Sequence, residues 1–237
     1  MPDPSRPGLE ALLSARSEAF ARVPRDIDAI DAFGRLESER TAAGGIPLPA
    51  FHHCPYIGFI GENQDRPGCL LHPLAEGNAG IDFRGLSHYG SMTCNMYFCP
   101  THQRVPASIK AALREAAGDW YIFGLMAADA NLLKALFDLI SEYSDGRPFP
   151  FPDGSNRDAW HRLFSLKTDW PHARSGRPLA VYFFNDDLYP TPPVDYSRTG
   201  RTGSRFDAVF RELHSVFPSA EALSDAEKKI CDHVAAL

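Results

Sequence analysis

The chain has 237 residues, a formal net charge of −6 and five cysteines. Length alone allows one large domain or two small ones, and buries enough apolar surface to fold without disulfide staples. The mild acidity argues against broad binding to nucleic acid or to anionic membranes.

The opening MPDPSRPGLEALL has no apolar stretch behind a basic start, which predicts that no secretory signal is present. Residues 1–7 are Pro-rich and polar, and are expected to fray. From Gly8 to Ala21, Leu9, Leu12, Leu13, Ala19 and Phe20 recur at helical spacing. A second helix is expected from Asp26 to Thr41, with Ile27, Ile30, Phe33 and Leu36 on one face. The stretch AAGGIPLPAF ends it, because Gly and Pro break helices.

Residues 51–105 are dense in Gly and Pro and show no sustained helical period, with short strands or turns expected at Tyr56–Ile60 and Met96–Phe98. A loop-rich stretch this long is unusual in a compact domain unless something organises it.

From Pro106 to Tyr143 the pattern turns helical. Pro106 suits a first turn, and Asp129 is placed to cap ANLLKALFDLISEY, where Leu132, Leu136, Leu139, Ile140 and Tyr143 repeat. The most apolar run, WYIFGLMAA (Trp120 to Ala128), is too short to span a bilayer. SDGRPFPFPDG reads as a loop, followed by a short helix at Asn156–Leu166. PLAVYFFND, Pro178 to Asp186, is the best strand candidate, being β-branched, aromatic and bounded by turn residues. DLYPTPPVDYSRTGRTGS reads as loop, and two helices, Arg205–Val216 and Ser219–Ala235, finish the chain. The expected fold is mainly α, or α+β with few strands: a helical domain with an inserted loop-rich Cys/His segment. Its parts are N-terminal helices at 1–50, the Cys/His segment at 51–105 and a helical part at 106–237, all in one compact domain.

Four of the five cysteines and five of the nine histidines fall within 51–105. Cys54, Cys69, Cys94 and Cys99 form C-x14-C-x24-C-x4-C, alongside His52, His53, His72, His88 and His102. In a cytoplasmic protein, clustered cysteines are metal ligands or redox groups more often than structural disulfides. Thiolates are soft anionic ligands, and four of them complete a tetrahedral zinc or hold one iron–sulfur cluster. Pro follows Cys54 and Cys99, and Gly68 precedes Cys69, which helps the backbone turn so that distant thiolates converge. The aromatics Tyr56, Phe59, Tyr89, Tyr97 and Phe98 are placed to shield such a site from water.

The succession CP-Y-I, G-C-L-L-H-P, T-C-N-M-Y-F-C-P resembles the C-terminal part of the zinc- or iron-chelating family whose hallmark is CxxCxxCC. That family has CP-F-L, then G-x-C-x-I-Y, then R-P-x-x-C-R-x-F-P. The resemblance spans residues 54–100. It implies metal binding, with Cys54, Cys69 and Cys94 in ligand positions and Cys99 as a further donor. The family's aromatic residue is replaced by His72, and its cysteine-dense start is reduced to FHHC before Pro55.

Metal identity stays open at this level. Cys69-x2-His72 and Cys94-x4-Cys99 have zinc-finger spacings, with His102 a second alternate ligand. The long irregular gaps and the C-P pairs favour a [4Fe–4S] cluster. The leading expectation is a cytoplasmic metalloprotein whose cluster transfers electrons or senses redox state. The alternative is a protein-interaction module held by a purely structural zinc on four cysteines, or on three cysteines and a histidine, with a protein partner and neither nucleic acid nor membrane. A hydrolase or transferase using a Cys or His of the same segment is a third class, and no substrate pocket can be read from the residues.

Weaker signals have plainer readings. His52–His53 suits a polar loop, Asp82 and Arg84 suit an ion pair anchoring their loop, and Asp186–Asp187 suit a solvated turn. SRTGRTGSR is basic and precedes a helix, but it is not a P-loop and reads as a flexible loop. Cys231 reads as a buried helix residue.

Overall fold

A computed structural model describes residues 5–44, 53–144, 147–179, 183–184, 187–188 and 191–237. The fold is mainly helical, as the apolar periodicity predicts. The chain divides into two compact units, Met1–Tyr97 and Phe98–Leu237, so the division falls inside the Cys/His segment. No helix among the described residues is long and apolar enough to cross a membrane.

The first unit starts with α1 (Arg6–Ala21) and α2 (Ile27–Ala43). Both begin where side-chain oxygens meet orphan backbone donors: Ser5 Oγ accepts the Gly8 N–H (3.3 Å) and Asp26 Oδ1 accepts that of Ala29 (2.9 Å). The predicted face of α2 is only half correct. Ile30 and Phe33 are buried, but Ile27 is 65% exposed and Leu36 47% exposed. Only one stripe of α2 meets the small core of Phe20, Ile30, Phe33, Tyr56, Leu70 and Leu71.

β1 (Ile57–Ile60) and β2 (Arg66–Cys69) form an antiparallel hairpin in which Ile57 pairs with Cys69. The hairpin presses on α1. The Phe59 N–H donates to buried Ser17 Oγ at 2.6 Å, and a Cβ at Gly58 would come within 2.5 Å of that oxygen. A 3-10 turn at Arg84–Leu86 precedes α3 (Gly90–Met96). At Met96–Phe98, where a short strand or turn was expected, there is no strand: Met96 closes α3 and Tyr97–Phe98 are irregular. Three apolar residues do not distinguish a strand from a helix end.

The second unit opens with the short helix α4 (Pro100–Arg104), then α5 (Ala107–Ala116), α6 (Trp120–Ala128), α7 (Ala130–Ser144) and α8 (Arg157–Asp169). Pro106 is the N-cap of α5. Gly118, at φ +80°, turns the chain between α5 and α6. Asp129 caps α7 as predicted, its Oδ1 accepting the Leu132 N–H at 2.9 Å. Of the strand expected at 178–186, Phe183–Phe184 form β3, which pairs with β4 (Asp187–Leu188), and most of the rest lies outside the described residues. Asp187 therefore starts a strand where a loop was expected. α9 (Asp207–Glu212) is shorter than the sequence pattern, because His214 takes a left-handed φ of +54°. α10 (Ala220–Ala235) ends the unit. Its core holds Trp160, Phe164, Phe206, Phe210, Leu132 and Leu136.

Candidate metal centre

Three of the four clustered cysteines belong to the first unit. Cys54 lies in the turn entering β1, Cys69 ends β2 and Cys94 sits in α3. Hairpin register carries Cys69 opposite Ile57, three residues beyond Cys54, and both cysteines pack against the apolar core. Their thiols lie within each other's electrostatic reach and within that of Cys94. Burial pushes the Cys54 and Cys69 thiols up from their ordinary range, since a low-dielectric setting disfavours the thiolate. Backbone N–H groups oppose this: Tyr56 donates to the Cys54 sulfur and Leu71 to that of Cys69.

The backbone around these cysteines is held from behind by polar side chains that carry no sequence signature. Buried Arg16 of α1 reaches the Cys54 carbonyl at 3.3 Å and Thr41 Oγ1 at 2.9 Å, with Glu37 at 3.5 Å as its counterion. Fully buried Asn78 donates through Nδ2 to the Leu70 and His72 carbonyls, both at 2.8 Å. Arg25 Nε holds the Asn78 amide oxygen at 2.8 Å. The loop after Cys69 is thus satisfied group by group, as buried backbone requires.

Asp82 and Arg84 form the expected ion pair, with Arg84 Nη2 at 2.7 Å from Asp82 Oδ2. The guanidinium holds the Asp82 carboxyl well below the usual carboxylate range, and Asn95 of α3 adds a hydrogen bond to it. The Arg84 charge also acts on Cys69 and Cys94, a proximity that sequence reading missed. Cys94 has Ser87 Oγ at 3.2 Å. It is exposed, and α3 buries no side chain at all.

The remaining candidates separate. His72 Nδ1 accepts the Leu74 N–H at 3.1 Å. That bond occupies the Nδ1 lone pair within the turn. His88 meets the Tyr89 ring edge-on, with centroids 4.9 Å apart. His52 lies outside the described residues. Cys99 is the N-cap of α4 in the second unit, where His102 stacks on Phe98 at 4.6 Å. Among the described residues, no group of three or more Cys, His, Asp or Glu side chains is spaced to hold a metal ion as it stands.

The other motifs resolve without a ligand. In the basic loop, Arg201 pairs with Glu227 at 2.9 Å and Arg205 approaches the Cys231 sulfur at 3.3 Å. Their charges are directed onto α10. Cys231 is half-buried, and Tyr143 Oη lies 3.2 Å from its sulfur. Asp186 lies outside the described residues.

No protein-family model, no curated protein and no solved structure matches the chain.

Proposed function

We propose that Cys54, Cys69 and Cys94 are thiolate ligands of one metal centre, that the centre is an iron–sulfur cluster, and that this cytoplasmic protein uses it to transfer electrons or sense redox state. The observation that carries the reading is α3. A seven-residue helix is unstable alone, and this one has no buried side chain to fix it. It nevertheless holds Cys94 within electrostatic reach of the two other thiols. A metal bond at Cys94 supplies the missing anchor.

The donor chemistry fits. Two N–H donors aimed at sulfur and the neighbouring guanidinium of Arg84 favour the charged, ligating form, against burial and the mutual repulsion of the thiols, both of which a bound metal cation would offset. Binding requires the thiols to draw together, and α3, which buries no side chain, is the element with the least packing to oppose a shift. Cys99 enters the test as the remaining thiolate of the sequence pattern.

A structural zinc is the second reading, and the same helix supports it, because pinning a coreless helix is what a structural zinc does. In that reading the protein is an interaction module for a protein partner.

Metal and sulfide analysis with an absorption spectrum, on protein purified without oxygen, separates the two. Iron, sulfide and a band at roughly 400 nm mark a cluster. One zinc per chain without colour marks the clip. Cys54→Ser, Cys69→Ser and Cys94→Ser should each lose the metal, and Cys99→Ser decides that residue. Full metal content in the triple variant of the first three would refute the assignment.

A further inference from the structure

The second unit contains a cleft of about 460 Å³ between α7 and α9. Two alanines apart, the described residues lining it are polar: Asn131, Lys134 and Asp138 from α7, Arg211 and Glu212 from α9, and Thr191. Its volume lies in the range of small-ligand sites.

Glu212 is the unusual member. It is only 8% exposed, and a buried carboxylate needs charge compensation and hydrogen bonds. Its Oε2 accepts from Thr191 Oγ1 at 2.9 Å, and its Oε1 has Arg211 Nε at 3.3 Å. The Arg211 side chain is 43% exposed, so its charge is shared with water. Deeper in the unit, the Asp129 carboxylate acts on Glu212 with the same sign, and the buried ammonium beside it is bonded to Asp129 at 2.7 Å. Burial accordingly pushes the Glu212 carboxyl up, with Asp129 adding to the effect. One wall of the cleft is therefore a carboxylate short of positive charge. Lys134, paired with Asp138 on the exposed face of α7, joins Arg211 in supplying cationic groups.

We propose that this cleft binds a small zwitterion of the amino acid class, its ammonium on Glu212 and its carboxylate on Lys134 and Arg211. Without ligand, Lys134 pairs with Asp138, and the half-exposed Arg211 compensates Glu212 only in part; a zwitterion brings the ammonium that Glu212 lacks and a carboxylate for the two cations. The lining is too charged for an apolar ligand.

The test uses the full chain, thermal melts and calorimetry. Common L-amino acids are added singly, with lactate as a probe lacking the ammonium and ethanolamine as a probe lacking the carboxylate. At least one amino acid should raise the melting temperature of the second unit and give a measurable heat, and both single-charge probes should bind at least tenfold more weakly. Glu212→Gln should weaken binding by roughly tenfold to a hundredfold, the scale of a lost charge-assisted hydrogen bond. Lys134→Gln changes only an exposed side chain and serves if Glu212→Gln does not fold. The proposal is overturned if no amino acid binds, if ethanolamine binds equally well, or if either folded variant binds like the parent chain.

Discussion

Replacing Asp129 with alanine removes two interactions at once. One carboxylate oxygen caps α7 through the Leu132 N–H, and the other accepts the Lys167 ammonium at 2.7 Å. The side chains of Lys167 and Asp129 are 2% and 4% exposed. Losing the cap costs about 1 kcal/mol. Leaving the ammonium buried without a partner costs about 3–5 kcal/mol. The sum, roughly 4–6 kcal/mol, rivals the whole stability of many domains, so Asp129→Ala should bring the second unit close to unfolding. Asp129→Asn separates the parts, because asparagine is also a good cap. Adding Lys167→Met to Asp129→Asn removes the stranded ammonium and should regain most of the loss. All three tryptophans, Trp120, Trp160 and Trp170, belong to the second unit, so urea titration followed by tryptophan fluorescence reads that unit. A loss below about 1 kcal/mol in Asp129→Ala, or a double variant no more stable than Asp129→Asn, would refute the reasoning.

The same fluorescence tests a pH dependence. Burial first, then neighbouring cations, lowers the pKa of His214 and His233 below the ordinary histidine range. The unfolded chain therefore takes up protons that the folded chain refuses. Stability of the second unit should fall as pH drops below about 6.5, by at most about 1.4 kcal/mol per pH unit for each histidine. Glu212, with its raised pKa, acts in the opposite sense and contributes stability that is lost as pH rises. His214→Asn with His233→Gln should flatten the acid slope, and an unchanged slope would exclude both histidines as its source. Gly118 is at φ +80°, and an added Cβ would lie 2.5 Å from His161 Nδ1. Gly118→Ala should cost more than about 2 kcal/mol, whereas Gly200→Ala, at φ +69° in open space, should cost about 1 kcal/mol; equal costs would remove the His161 contact from the account. In metal-loaded protein, chelation should speed amide exchange across α3 and leave α7 unchanged, and unaltered α3 exchange would count against Cys94 as a ligand.

The helices were readable because each is a local object. Leu132, Leu136, Leu139 and Ile140 recur at the helical period and are buried together, and Asp129 announces their start with a side chain three residues away. What the period cannot show is how wide a core lies opposite. Ile27 and Leu36 continue the apolar pattern of α2, but the first unit's small core reaches only Ile30 and Phe33. The end of α9 was hidden for a related reason. RELHSVF keeps an apolar rhythm, and only the tertiary setting places His214 at φ +54°. Lys167 likewise reads as an ordinary helix cation until the fold buries it on Asp129.

The cysteine cluster was visible as composition, whereas its grouping depends on pairing and burial. Hairpin register, not sequence spacing, brings Cys69 to Cys54. The groups that shape the site, Arg16 on the Cys54 carbonyl and Arg84 beside Cys69 and Cys94, come from an N-terminal helix and a loop ion pair. Neither residue is unusual in sequence, since an arginine's role is set by which carbonyl or thiol the fold presents to it. Spacing also promotes His72 as a partner of Cys69, yet the turn after Cys69 engages Nδ1 with the Leu74 N–H. A C-x2-H pattern is satisfied here by a hydrogen bond within a turn. The metal reading keeps its weight on the thiols, as the sequence pattern had it, and among them on Cys94, the one whose helix has no core of its own.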